Sequence, residues 1–135
     1  MDDQGQAELL EVRTDDDIVR ARRSARERAV AAGLRLVDQT KLITAVSELA
    51  RNMTRYAGGG TVALSTVRDG GRSGVRAAFA DTGPGIPDVG EAMRNGYTTG
   101  TGLGLGLGGA KRLVHEFTIE TQPGQGTTVT VIMWG

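Results

Sequence analysis

Gly96-Tyr97-Thr98-Thr99-Gly100-Thr101-Gly102-Leu103-Gly104-Leu105-Gly106-Leu107-Gly108-Gly109 is the stretch on which the reading of this chain turns. Glycine costs a helix or strand about 0.5–1 kcal/mol per site relative to alanine, so a folded domain gathers it where the main chain must bend or approach closely. At the usual ~7% this 135-residue chain would hold about 9 glycines; it holds 21, ten of them between Gly83 and Gly109. Small residues free backbone N–H groups to turn toward an anion, and a helix starting after the run adds a dipole of favourable sign. That is a phosphate-binding arrangement, with a plain hinge loop as the simpler reading. No G-x-x-x-x-G-K-[ST] occurs, which excludes a P-loop. Gly104, Gly106 and Gly109 satisfy G-x-G-x-x-G, but outside any βαβ unit and without an acid about 20 residues on, so a dinucleotide fold is excluded as well.

Outward from this run, the pattern is β-α-α-β-β-(loop)-α-β-β. Residues 1–7 read as a flexible end and 8–135 as one domain. Glu8 to Arg13 predicts an edge strand. Thr14 or Asp15 can N-cap a helix to about Ala32, with Asp15, Asp16 and Asp17 at its positive end and Gly33 as its stop. Asp38 is expected to cap a second helix to about Ala57, whose Leu42, Val46, Leu49, Met53 and Tyr56 recur at helical spacing. Thr61–Arg68 and Val75–Ala80 read as a hairpin turned by Asp69-Gly70-Gly71. A short helical turn near 89–95, a helix through about Glu116, a strand near 118–121 and a final strand Thr127–Trp134 complete the prediction. The fold class is α+β: a two-layer sandwich of one mixed sheet covered by helices on one face.

Three further segments carry polar groups in suggestive places. Glu48 and Asn52 lie about 40° apart on one helix face, at the border between core and solvent. A carboxylate and a carboxamide one turn apart supply oxygen ligands for a hard cation, or a base beside such a ligand. Asp81-Thr82-Gly83-Pro84-Gly85-Ile86-Pro87 follows a strand, so Asp81 can accept from a ligand's amino group while Gly83 and Gly85 let a flat ring approach. Gly124-Gln125-Gly126-Thr127-Thr128-Val129 is by itself a hairpin signal.

In this order, the four segments resemble the motifs of the Bergerat-fold ATPases, the gyrase, Hsp90, histidine-kinase and MutL (GHKL) superfamily. The resemblance spans about Ser47 to Val129. Ser47-Glu48-Leu49-Ala50-Arg51-Asn52, Asp81-Thr82-Gly83-Pro84-Gly85-Ile86 and Gly102–Leu107 with Ala110-Lys111-Arg112-Leu113 look like the RsbT-like switch serine kinases of the anti-sigma-factor kinase group. The resemblance implies ATP and Mg²⁺ as cofactors. Asn52 would hold the magnesium, and Asp81 would accept the adenine amino hydrogen bond. Gly85 and Thr127 would line the base pocket and Gly100, Gly102, Gly104 and Gly106 would wrap the phosphates, with Gly83, Ile86, Thr99, Leu103 and Leu105 also among the nucleotide-binding residues. Glu48 would be the general base toward a substrate serine. It further implies a bacterial stress-response partner switch at a stressosome, with a STAS-domain protein as substrate and a PP2C-type phosphatase activated by binding. The alternative is an anti-sigma factor, a nucleotide-gated binding module with little or no kinase turnover. In the lid, Thr98-Thr99-Gly100-Thr101 lacks the basic residue that related anti-sigma factors carry, so either Lys111 or Arg112 would supply a charge toward phosphate or nothing does and both are solvated helix residues.

Composition is compatible with this reading. Sixteen cationic side chains balance sixteen anionic ones, and a pI of about 6.6 gives no pull toward nucleic acid or an anionic membrane. The chain has no cysteine and an acidic, polar start, from which a cytoplasmic protein is expected. Arg20, Arg22, Arg23, Arg26 and Arg28 on the first helix read either as a solvated face or as a docking surface for an acidic partner.

Overall fold

In a computed structural model, residues 7–83 and 105–135 are described, with the side chains of the second segment from Leu107 onward. The elements are β1 (Glu8–Val12), α1 (Asp15–Ala31), α2 (Leu36–Tyr56), β2 (Gly60–Asp69), β3 (Arg72–Asp81), α3 (Leu105–Leu113), β4 (Glu116–Gln122) and β5 (Gly126–Trp134). The strands form one five-stranded sheet in the order β1-β2-β3-β5-β4, with β1 at an edge as expected.

Every neighbouring pair is antiparallel, which corrects the mixed sheet expected from the pattern. Parallel strands are usually joined by a helical crossover. One does join two strands of the same direction: β3 and β4 both run antiparallel to β5. β5 inserts between them and removes the parallel contact. The other excursion, α1 then α2, uses two helices and brings β2 back antiparallel beside β1.

Alternation in the strands separates the two sheet faces. Leu10, Val12, Val62, Leu64, Val75, Ala77, Phe79, Val129, Val131 and Met133 point to the helical layer and form its floor. Onto it α1 lays a small-residue stripe, Ile18, Ala21, Ala25 and Ala29, and α2 lays Leu42, Val46, Leu49 and Met53. Tyr56, at the end of the expected stripe, is only half-buried. Alanines let α1 sit close, and the sheet is covered by helices on this face.

Local signals account for most boundaries. Thr14 N-caps α1 in a capping box with Asp17, and Leu34 N–H returns to Ala29 O at 3.0 Å as the chain turns at Gly33. Asp38, in contrast, is not the cap of α2. The helix starts three residues earlier, behind Arg35, so Asp38 stands in its first turn, 3.5 Å from the Arg35 guanidinium. The helix expected to run through Glu116 ends at Leu113, because His115 N–H bonds Ile132 O and Glu116 opens the ladder to β5. His115 Nδ1 accepts the backbone N–H of Trp134 at 2.9 Å. No helix among the described residues is long and apolar enough to cross a membrane.

Candidate functional site

α2 brings the first two candidates together. Glu48 and Asn52 lie one turn apart beside the buried row of Leu42, Leu49 and Met53, and both are half-buried. Glu48 Oε2 accepts from Arg51 Nη1 at 3.1 Å, and the pair is exposed enough (39% and 41%) for water to compete with it. Asn52 differs at its tip. Its Nδ2 is buried and has no hydrogen-bond partner. The oxygen and nitrogen of an amide exchange by a flip, so the same geometry offers an unmatched carbonyl oxygen at that point. A buried, unmatched oxygen suits a hard cation. Among the described residues no cluster of three or more His, Asp or Glu exists that would hold a metal unaided. Magnesium is commonly bound by one or two protein oxygens, with phosphates and water completing the octahedron, so a single carboxamide fits that ion.

The end of the sheet supplies the second group. Asp81 is the last residue of β3 and stands opposite Thr127 of β5, which stands opposite Thr121 of β4. By strand alternation this row continues the inward-facing Phe79, Val129 and Ile119, so all three face the helical layer. Asp81 Oδ1 accepts the Gly83 N–H at 2.9 Å, which fixes the carboxylate against its own loop and leaves Oδ2 for another donor. A Cβ built on Gly83 would lie 2.7 Å from the Cβ of Ala57, the C-cap of α2, so glycine permits this loop to lie against the helix end. Asn52 sits five residues before Ala57, about 7.5 Å along the helix axis. Asp81 and Asn52 thus belong to one region, between α2's last turns and the strand ends.

Thr127 is buried, and its hydroxyl lies 2.9 Å from that of Thr121, which donates to Gly126 O at 3.2 Å. With Asp81 and Gly126 these threonines line a recess of about 240 Å³. Gly126 has φ +92°, and a Cβ there would run into the Asp81 carbonyl oxygen, so the strand pair can close at this point only around a glycine. Thr121 was missed in the sequence. The signal was its mirror position to Thr127 across the Pro123-Gly124 turn, which acquires meaning once the register is known.

α3 packs beside α2 and buries Leu107 and Ala110. Lys111 and Arg112 lie in its last turn and are exposed, where they complement the helix dipole. Of the expected phosphate and base contacts, Gly85, Ile86, Thr99, Gly100, Gly102, Leu103 and Gly104 lie outside the described residues. Leu105 and Gly106 form the first turn of α3.

Residues 37–134 match the family profile described as histidine kinase-, DNA gyrase B-, and HSP90-like ATPase. The serine/threonine-protein kinase RsbT of Bacillus subtilis (strain 168) is 43% identical over 125 residues, covering 93% of this chain and 94% of its own. Among solved structures, a mycobacterial sensor histidine kinase, MprB, superposes with a TM-score of 0.55 at 20% identity over 96% of this chain and 97% of its own, a likeness of fold. The chain belongs to the histidine kinase-, DNA gyrase B- and HSP90-like ATPase family, within its branch of RsbT-like serine/threonine-protein kinases.

Proposed function

We propose that this kinase transfers the γ-phosphoryl group of Mg·ATP to a serine or threonine of a STAS-domain protein, and on release binds and activates a PP2C-type phosphatase, in a cytoplasmic stress-response partner switch. The observation that carries the reading is the pairing on α2 of Glu48 with Asn52, whose buried amide tip has an unmatched polar atom, in a chain of this family. Asn52 would ligate magnesium through Oδ1. When bound, the ion supplies charge neutralisation to the phosphates. Asp81 Oδ2 would accept from the adenine amino group, with Thr127 and Gly83 beside it, while the first turn of α3 and the glycine run before it donate backbone N–H groups to phosphate. Glu48 would take the proton of the substrate hydroxyl as its oxygen bonds to phosphorus and the β–γ bridging bond breaks to release ADP. Phosphoryl transfer needs little beyond such positioning and charge compensation.

The Arg51 contact on Glu48 favours one rival, an anti-sigma-factor-like binding module in which that carboxylate serves an ion pair. Labelled ATP with the cognate STAS protein separates the two. We expect transfer to the STAS protein, abolished by Asn52→Ala and reduced roughly 10²–10⁴-fold by Glu48→Gln with ATP binding retained. Absence of transfer, or transfer indifferent to both variants, would refute the kinase reading. Partner switching that persists in Glu48→Gln would establish the binding module.

A further inference from the structure

The side of α2 opposite the candidate site borders a second surface. Ile43 and Asn52 are nine residues apart, which places them about 180° apart around the helix. Ile43 closes the floor of a groove of about 250 Å³ between α2 and α1, whose other walls are Val19, Arg22, Arg23 and Arg26. These four follow at intervals that form one stripe of α1. Val19 is 45% exposed, and Val30 extends the same stripe, also exposed.

The arginines of this stripe differ from the other two on the same helix. Arg20 and Arg28 each stand within ion-pair distance of a carboxylate, Asp17 and Glu8, whereas among the described residues Arg22, Arg23 and Arg26 pair with none. Like charges one turn apart on a helix repel. The chain as a whole is neutral, so this is a local concentration of positive charge, which an anionic partner relieves. The groove has an apolar floor beneath three forked donors suited to carboxylates.

We propose that this groove docks an acidic segment of a protein partner, with an apolar side chain seated on Val19 and Ile43 between carboxylates that pair with Arg22, Arg23 and Arg26. A nucleic acid fits it less well. Asp15 and Asp16 stand one turn before Val19 and Glu27 one turn after Arg23, all exposed, so the positive patch extends only over Arg22, Arg23 and Arg26, enough for a short acidic segment and too short for a continuous phosphate backbone. The apolar floor also has no counterpart in a phosphate chain. The proposal is independent of whether the chain transfers phosphate.

The test measures fluorescence anisotropy of labelled probes with the whole chain: a short amphipathic peptide of Glu and Leu, its Lys-for-Glu counterpart, a short DNA duplex, and vesicles of phosphatidylcholine and phosphatidylglycerol. We expect the acidic peptide to bind, to weaken as salt is added, and to lose roughly tenfold or more in affinity when all three arginines become glutamate. Val19→Ser should weaken it as well. Amide shifts on binding should fall on residues 19–26 and Ile43. A triple arginine-to-glutamine variant, with the fold checked by circular dichroism, repeats the test should charge reversal unfold α1. No binding of the acidic peptide, binding indifferent to the arginines, or tighter arginine-dependent binding of duplex or vesicles overturns the proposal.

Discussion

Asn52 is a residue the fold tolerates at a cost. A buried amide group without a partner typically costs about 1–3 kcal/mol, and Asn52 Nδ2 is such a group. Asn52→Ala removes the unmatched atom together with the proposed ligand oxygen. We therefore expect the variant, without nucleotide, to melt no lower than the parent, while the rise in melting temperature with Mg·ATP disappears; differential scanning fluorimetry reads both. Asp81 poses the complementary question, because in the proposed site its two oxygens would have separate tasks. Asp81→Asn can keep the Oδ1 bond to the Gly83 N–H and replace Oδ2 with a donor facing the adenine amino group. Losing that hydrogen bond, with two donors left face to face, predicts roughly tenfold or greater weakening of ATP binding by calorimetry.

Elements show where local chemistry suffices and where it does not. The start of α1 is locally determined. Thr14 Oγ1 accepts the Asp17 N–H at 3.2 Å, and Asp17 Oδ2 accepts the N–H groups of Arg13 at 2.9 Å and Thr14 at 3.2 Å. The Arg13 N–H first, then the Arg20 guanidinium, hold the Asp17 carboxyl below its ordinary value of 3.8. A carboxyl with a depressed folded-state pKa contributes stability that is present above its unfolded value and lost as pH falls through the folded one. Acid unfolding should accordingly show a loss below pH 3.8 that Asp17→Asn flattens. Thr14→Ala should cost about 1 kcal/mol at neutral pH in denaturant melts. The Asp69-Gly70-Gly71 hairpin and the core stripe of α2 were legible for the same reason: turn residues and periodicity are written locally. Asp38 misled because a carboxylate favours both a cap and a first turn, and the choice rested on where Leu34 bonds back to α1. Glu116 misled because Lys111 to Glu116 has ordinary helical propensity, overridden by pairing with a strand ten or more residues further along.

At the scale of the molecule, what could not be read was neighbourhood. No local signal tells that β5 inserts between β3 and β4, yet that insertion places Thr127 between Asp81 and Thr121 and so makes the recess. The ordered motifs pointed to the candidate site through family resemblance; Thr121, which belongs to no motif, became visible only with the register. The same strand has a second end. Trp134, the one tryptophan of the chain, is buried there, its Nε1 donating to Glu116 at 2.7 Å and its ring under the Arg72 guanidinium 4.7 Å away. Seven residues of extended chain separate it from Thr127, about 23 Å. Nature has thus installed an indole lamp at the wrong pole for watching ligand arrive: its emission will follow the sheet coming apart under urea, and stay dark to the filling of a cleft at the opposite tip.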